Sequence, residues 1–89
     1  MTFTNGSISV SSTSTQTDLG SEYDSAVIEN TGISTAYVKI SRSTGSATTS
    51  DFPVPAGRIL HVSLKLRYIL SITSGSDTTT LQYVAVGRE

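Results

Sequence analysis

The stretch from Leu60 to Ile72 constrains the fold more than any other part of the sequence. Every second side chain in these 13 residues is apolar or aromatic, and most of the positions between them are polar. A period of two is typical of a β-strand that buries one face, and here it predicts that Tyr68 and Leu70 point into the core. Because the stretch exceeds the usual strand length and lacks a turn residue at its middle, two structures fit it. One is a strand that bends between two sheets, and the other is a pair of strands meeting at a corner near residues 65–67.

The residues from 26 to 41 show the same period. A short apolar run over 26–30 ends at the segment Asn30-Thr31-Gly32, whose composition suits a hairpin turn. The chain then resumes over 35–41 with apolar residues at alternate positions. This second stretch predicts an antiparallel strand with one buried face.

Two later segments also have the character of strands. Pro53 and Pro55 cannot donate backbone hydrogen bonds, so the chain around them is expected at a sheet edge or as polyproline. The final strand, over 79–86, carries apolar side chains on both faces, with Val84 and Val86 opposite the side of Leu81. We expect it to be covered on both sides, by the sandwich itself or by a neighbouring subunit.

Residues 1–25 differ from the rest because they contain few apolar side chains. Only Ile8 and Val10 suggest a short strand, and the tract over 11–17 consists almost wholly of Ser and Thr. Three structures are open for this segment: an arm or loop ordered by neighbouring subunits, a mobile segment, or a regular edge strand. We hypothesise an arm that lies across an adjacent subunit, followed by a core over 26–89.

Composition supports the same fold class. Ser and Thr make up 30 of the 89 residues, and charged residues only 15%, which argues against helices. We therefore predict an all-β chain: a small antiparallel β-sandwich or jelly-roll-like domain of six to eight short strands with an extended N-terminal segment. A domain of this size without Cys is expected to gain stability by association with copies of itself or with another protein.

Charge and hydropathy narrow the expected partners. Six basic and seven acidic side chains give a net charge of -1, which favours neither nucleic acid nor an anionic membrane. No segment is apolar over the length that a membrane-spanning helix needs, and we expect no export signal in the first residues. No cofactor is expected.

The candidates for chemistry are weak. The segment Gly32-Ile33-Ser34-Thr35-Ala36 lacks the last Gly of a nucleophile elbow, and His61, the only possible general base, falls on the polar side of its strand. Asp18, Glu22 and Asp24 could offer oxygen ligands to calcium, but their spacing matches no calcium loop. We therefore expect no enzymatic activity and no metal site.

Exposed aromatic and polar side chains are the better candidates for contacts. Tyr37 falls opposite the apolar face of its strand, where it either packs over cross-strand neighbours or contacts a partner. Tyr83 is open to the same two interpretations. The full set of predicted interface residues is Phe3, Ile8, Tyr37, Lys39, His61 and Tyr83.

The order of several motifs resembles a known group of proteins. The segments 27–32 (VIENTG), 36–40 (AYVKI), 53–58 (PVPAGR) and 68–75 (YILSITSG) follow one another before a short last strand. This succession resembles small β-sandwich virion proteins of tailed bacteriophages. The resemblance covers residues 27–86 and leaves the N-terminal segment unaccounted for.

The resemblance implies a non-enzymatic structural protein of the virion, made in the host cytoplasm. Its partners would be other virion proteins and copies of itself, with head decoration, neck, tail and fibre as the possible positions. The alternative from the residues themselves is a carbohydrate-binding or adhesin-like module in which Tyr37 or Tyr83 stacks on a sugar.

Overall fold

The structure is a computed structural model that describes residues 2–87. Residue 1 of the predicted N-terminal segment (1–25) and residues 88 and 89 of the predicted core (26–89) lie outside the described residues. The described chain is all-β, as predicted, and contains no helix. It has eight strands: β1 (Thr2–Val10), β2 (Thr15–Tyr23), β3 (Ser25–Asn30), β4 (Ala36–Ser41), β5 (Phe52–Val54), β6 (Ile59–Val62), β7 (Leu66–Ile72) and β8 (Thr79–Gly87).

The strands form two packed antiparallel sheets. Sheet A has the order β1-β8-β3-β6, and sheet B has the order β2-β7-β4-β5. Successive strands along the chain therefore alternate between the sheets, except for β4 and β5, which are neighbours in sheet B. This is the strand order of a jelly roll, in which two Greek keys make an eight-stranded sandwich.

The core lies between the two sheets, and every strand contributes to it. Its members share near-complete burial and the inward phase of their strands. They are Ile8, Val10, Leu19, Tyr23, Ala26, Ile28, Ala36, Val38, Val54, Val62, Leu66, Ile69, Leu81 and Ala85.

The segment Asn30-Thr31-Gly32 does not form the predicted hairpin, because β3 and β4 lie in different sheets. It is instead the start of a crossing between them, which the fully buried Asn30 side chain holds in place. The Asn30 amide donates to the carbonyls of Ser34 at 2.7 Å and Val54 at 2.8 Å. Its Oδ1 accepts from the Thr79 hydroxyl at 2.7 Å and the Gly32 N–H at 3.1 Å. Asn30 thus joins strands of both sheets.

The stretch over 60–72 consists of two strands, the second of the two predicted alternatives. β6 ends at residue 62 in sheet A, and β7 begins at residue 66 in sheet B. The inward phase does not continue through β7, since Leu66 and Ile69 are both in the core. Tyr68 and Leu70 therefore point outward from sheet B, and their prediction as inward-facing residues is wrong.

An irregularity in the neighbouring strand accompanies this change of phase. On β2, four residues separate Asp18 from Tyr23, whereas their partners on β7, Tyr68 and Leu66, are separated by only one. The extra residues of β2 turn through Gly20, whose φ of 89° is in the region that Gly adopts without strain. A regular alternation in the sequence of β7 cannot reveal a bulge located in its partner strand.

Residues 2–23 form the edge strands β1 and β2, which corrects the prediction of an arm or loop over residues 1–25. A regular edge strand was the third alternative for this segment, and the segment forms two such strands. Their apolar residues are sparse because a nine-residue edge strand is held largely by its backbone hydrogen bonds to one neighbour. Most of the few apolar residues in these two strands, including Ile8 and Leu19, point into the core, and Phe3 is exposed on the opposite face.

Two other predictions about strands are confirmed, and a third is confirmed in part. β4 buries Ala36 and Val38 on one face and exposes Lys39 on the other. Pro53 lies in β5, at the edge of sheet B, where its missing N–H removes no bond from a central ladder. β8 has apolar residues on both faces as predicted, with Leu81 and Ala85 in the core, but the expected cover on the second face is absent within residues 2–87, where Val84 is 41% exposed.

Candidate interaction surface

The outer face of sheet A is a continuous surface of side chains that point away from the core. Cross-strand pairing places these residues in rows, since directly opposed residues of an antiparallel sheet share a face. One row joins Asn5, Val84, Val27 and His61, and the rows on either side join Phe3 to Val86 and Ser7 to Gln82, Glu29 and Ile59. We call these ten residues, Phe3, Asn5, Ser7, Val27, Glu29, Ile59, His61, Gln82, Val84 and Val86, the outer face of sheet A.

Four apolar side chains of this face are open to solvent. Phe3 is 67% exposed, Ile59 52%, Val84 41% and Val27 40%. Single exposed apolar residues are ordinary on a protein surface, but Val84 and Val27 are directly paired in the centre of the sheet. An apolar patch rimmed by polar side chains is typical of a surface that another molecule covers.

A shallow depression of about 310 Å³ lies in the middle of the face. Its floor contains Val27 and Val84, and polar groups of Asn5, Ser7, Glu29 and Gln82 surround them. Gly6 contributes to the shape because the Tyr83 ring occupies the space that its side chain would need. A Cβ at Gly6 would lie 2.8 Å from the Tyr83 hydroxyl oxygen.

The outer face of sheet B is partly covered by the chain itself. The β4–β5 loop (residues 42–51) folds over it, and Leu70 beneath the loop is only 1% exposed. The Gly45 N–H donates to Oε1 of Gln16 at 3.0 Å, and the Ala47 N–H donates to Oγ of Ser14 at 2.8 Å. The two sheets therefore differ in what their outer faces can offer to a partner.

The structure separates the six predicted interface residues. Phe3 and His61 lie on the outer face of sheet A, near its opposite edges. Tyr37 and Lys39 belong to the outer face of sheet B. Ile8 is buried in the core and is removed from the surface set, whereas the partly buried Tyr83 packs against the core and also lines the depression on sheet A.

Sequence reasoning missed Val27, Ile59 and Val84 as surface residues. Val27 and Ile59 fall in apolar runs whose two faces cannot be told apart from the sequence. For Val84 the sequence did contain an indication of an apolar outer face, because β8 has apolar residues on both of its faces. The sandwich covers only one of those faces, which leaves a neighbour as the remaining candidate for the other.

The three acidic residues considered for calcium are paired with cations. Glu22 contacts Arg42 at 2.7 Å and Lys65 at 3.8 Å, while Lys65 also lies 3.6 Å from Asp24. Asp18 contacts Nε of Arg67 at 3.2 Å. Within residues 2–87, no group of three or more His, Cys, Asp or Glu side chains is placed to hold a metal ion.

Asp18 also stabilises the bulge of β2. Its carboxylate accepts the Gly20 N–H at 2.8 Å, two residues further along the chain. This hydrogen bond and the one from Arg67 hold the pKa of Asp18 below its ordinary value. The same contact with Asp18 raises the pKa of Arg67.

The segment considered as a nucleophile elbow has a structural role. The Ser34 carbonyl accepts a hydrogen bond from Asn30, and Gly32 approaches β8 so closely that a Cβ there would lie 2.6 Å from the Thr80 nitrogen. His61 lies exposed on the outer face of sheet A. Among residues 2–87 there is also no helix of the length and hydropathy that crossing a membrane requires.

Comparison of the chain with protein-family models, with curated proteins and with solved structures finds no match. The resemblance to phage virion proteins therefore depends only on the motifs between residues 27 and 86.

Proposed function

We propose that this protein is a non-enzymatic structural subunit of a bacteriophage virion, a head decoration protein that binds other virion proteins through the outer face of sheet A. The observation that carries the proposal is the exposed pair Val27 and Val84 at the centre of that face. Desolvation of these two side chains, together with Phe3 and Ile59, would favour binding to a complementary protein surface.

The composition of the face supports a protein partner. Glu29 is its only carboxylate, and the remaining polar groups are neutral amides, hydroxyls and the His61 ring. A nearly uncharged rim around an apolar centre suits a protein interface and gives no attraction to a polyanion. The jelly-roll strand order is also compatible, because this fold occurs in viral capsid proteins, although a fold alone does not imply a function.

Quantitative mass spectrometry of density-purified particles tests the proposal. The particles come from the phage that encodes this chain, and the readout is its copy number relative to the major shell protein. Near-stoichiometric amounts support head decoration, and a small reproducible amount moves the protein to the neck, tail or fibres. Absence from the particles would reject a structural role.

A carbohydrate-binding or adhesin-like module is the second candidate function. The depression on the outer face of sheet A favours it, because Asn5, Ser7, Glu29 and Gln82 could bond to sugar hydroxyls around the apolar floor. Of the two predicted stacking residues, the partly buried Tyr83 lines this depression, whereas Tyr37 lies on the outer face of sheet B. A glycan array with the purified protein separates the candidates, since specific binding to one sugar class favours the module.

A further inference from the structure

The edges of the two sheets differ in how well they are protected. Each four-stranded sheet has two edges, so β1, β6, β2 and β5 each have one unpaired side within the described chain. Such a side presents backbone N–H and C=O groups to which a strand of another chain can pair. Proteins usually block this pairing with charge, Pro, a bulge or a very short strand.

Three of the four edges carry such a block. β5 has only three residues, and one of them is Pro53. β2 is interrupted by its bulge after Asp18 and carries two carboxylates, Asp18 and Glu22. β6 has four residues.

β1 carries none of these blocks. It is nine residues long, contains neither Pro nor a charged side chain, and pairs with β8 without interruption from Thr2 to Val10. Most of its residues are also exposed, including Phe3. A long, regular and uncharged edge is the feature that invites pairing with another strand.

We propose that β1 pairs antiparallel with β1 of a second copy of this chain, joining two copies of sheet A into one eight-stranded sheet. A two-fold axis perpendicular to the sheet brings the same strand against itself in the antiparallel direction, which closes the assembly as a dimer. The side chains of β1 are those of Thr, Ser, Asn, Phe3, Ile8 and Val10, so no like charges would oppose each other across the seam.

This inference goes beyond the proposed function, because it concerns the edge of sheet A and not its outer face. The dimer has a consequence for that face, however. A perpendicular two-fold places both outer faces on the same side, so the two copies would present one doubled surface to a particle. Two linked sites bind a lattice more tightly than one site without any new contact.

A charge at the seam tests the dimer. In the variant Asn5→Lys/Ser7→Lys, both substitutions lie on β1. Their Cβ atoms would lie about 4.5–5.5 Å from the Cβ atoms of the residues directly opposite on the second β1. Two added positive charges on each strand would oppose pairing. The control Thr44→Lys/Ser46→Lys adds the same charge at two exposed positions of the β4–β5 loop.

Light scattering coupled to size-exclusion chromatography gives the oligomeric state. The wild type and the control are expected to be dimers, and the β1 variant a folded monomer by circular dichroism. A monomeric wild type at millimolar chain concentration overturns the proposal, and so does a β1 variant that stays dimeric. The oligomeric state and the presence of the protein in phage particles are measured separately, so failure of the dimer can be distinguished from failure of the proposed function.

Hydrogen exchange on the wild type keeps the test decisive if the β1 variant does not fold. Amides of β1 are expected to exchange more slowly as the chain concentration rises through the dimerisation range, while those of the β4–β5 loop do not change. Exchange of β1 that is independent of concentration contradicts the dimer.

Discussion

The outer faces of the two sheets have opposite environments. On sheet B, the β4–β5 loop covers Leu70 and binds Gln16, whereas no segment of residues 2–87 covers Val27 and Val84 on sheet A. Both faces have apolar side chains on their central strands. The chain therefore buries the apolar residue Leu70 of one outer face under its own loop and leaves Val27 and Val84 of the other exposed, which is why we propose sheet A as the interaction surface.

The largest predicted effect comes from Asn30, which joins the two sheets. Asn30→Asp replaces the amide donor by a carboxylate facing the carbonyls of Ser34 and Val54, so stability is expected to fall by about 3 kcal/mol or more. Chemical denaturation measures the change. The control is Thr44→Asp at an exposed position of the β4–β5 loop, with an expected change below about 0.5 kcal/mol. Equal effects of the two substitutions would show that Asn30 does not join the sheets as described.

The next effect compares the two outer faces directly. Leu70→Ala removes a fully covered side chain and is expected to cost about 2–3 kcal/mol of unfolding free energy. Val84→Ala, at the equivalent position of an uncovered face, is expected to cost less than about 1 kcal/mol in the isolated protein. Urea titration of both variants at a concentration that keeps them monomeric gives the difference. Similar costs would mean that the two faces are not differently covered.

A smaller effect concerns the attachment of the β4–β5 loop. Gln16→Ala removes the acceptor of the Gly45 N–H and is expected to lower stability by about 1 kcal/mol or less. Amide exchange over residues 43–47 is expected to become faster. The matched control is Gln82→Ala, on the face that has no covering loop, and it should leave this exchange unchanged. If the loop exchanges at the wild-type rate without Gln16, the hydrogen bond does not hold it.

The smallest effect is the pH dependence from Asp18. Its pKa in the folded protein is lowered by Gly20 and Arg67, so its contribution to stability is present above the unfolded pKa near 3.8 and is lost as the pH falls through the lower, folded value. Asp18→Asn is expected to remove this part of the acid dependence. Thermal unfolding of both proteins between neutral and acidic pH measures it. Identical pH profiles would contradict the contacts at Asp18.

Much of the fold was predictable from periodicity and turn chemistry. The alternation in β4, β6 and β8 identified these strands, and Pro53 placed β5 at an edge. The sequence predicted only a short strand at Ile8 and Val10 and not the full length of β1 or β2, because edge strands rich in Ser and Thr carry little apolar signal. It also did not predict the outward direction of Leu70, which depends on a bulge in β2 and on a loop that is distant in the chain.

The residues of the proposed interaction surface were predicted only in part. Phe3 and His61, predicted as interface residues, are exposed on this face and their contact with a partner stays a prediction, but the row that joins Val27 to Val84 exists only once β3 and β8 are neighbours. Pairing between strands that are distant in the chain is not encoded in the local pattern of either strand. The apolar residues on both faces of β8 were the one local indication in the sequence of an apolar face that the sandwich does not cover.

Incorporation of variants into phage particles tests the central claim most directly. Val84→Lys places a charge at the centre of the outer face of sheet A, and Ser46→Lys places the same charge on the loop that covers sheet B. Mass spectrometry of purified particles is predicted to find the wild type and Ser46→Lys at equal copy number and Val84→Lys strongly depleted, with both variants folded. Equal incorporation of Val84→Lys would contradict the assignment of the interaction surface to sheet A.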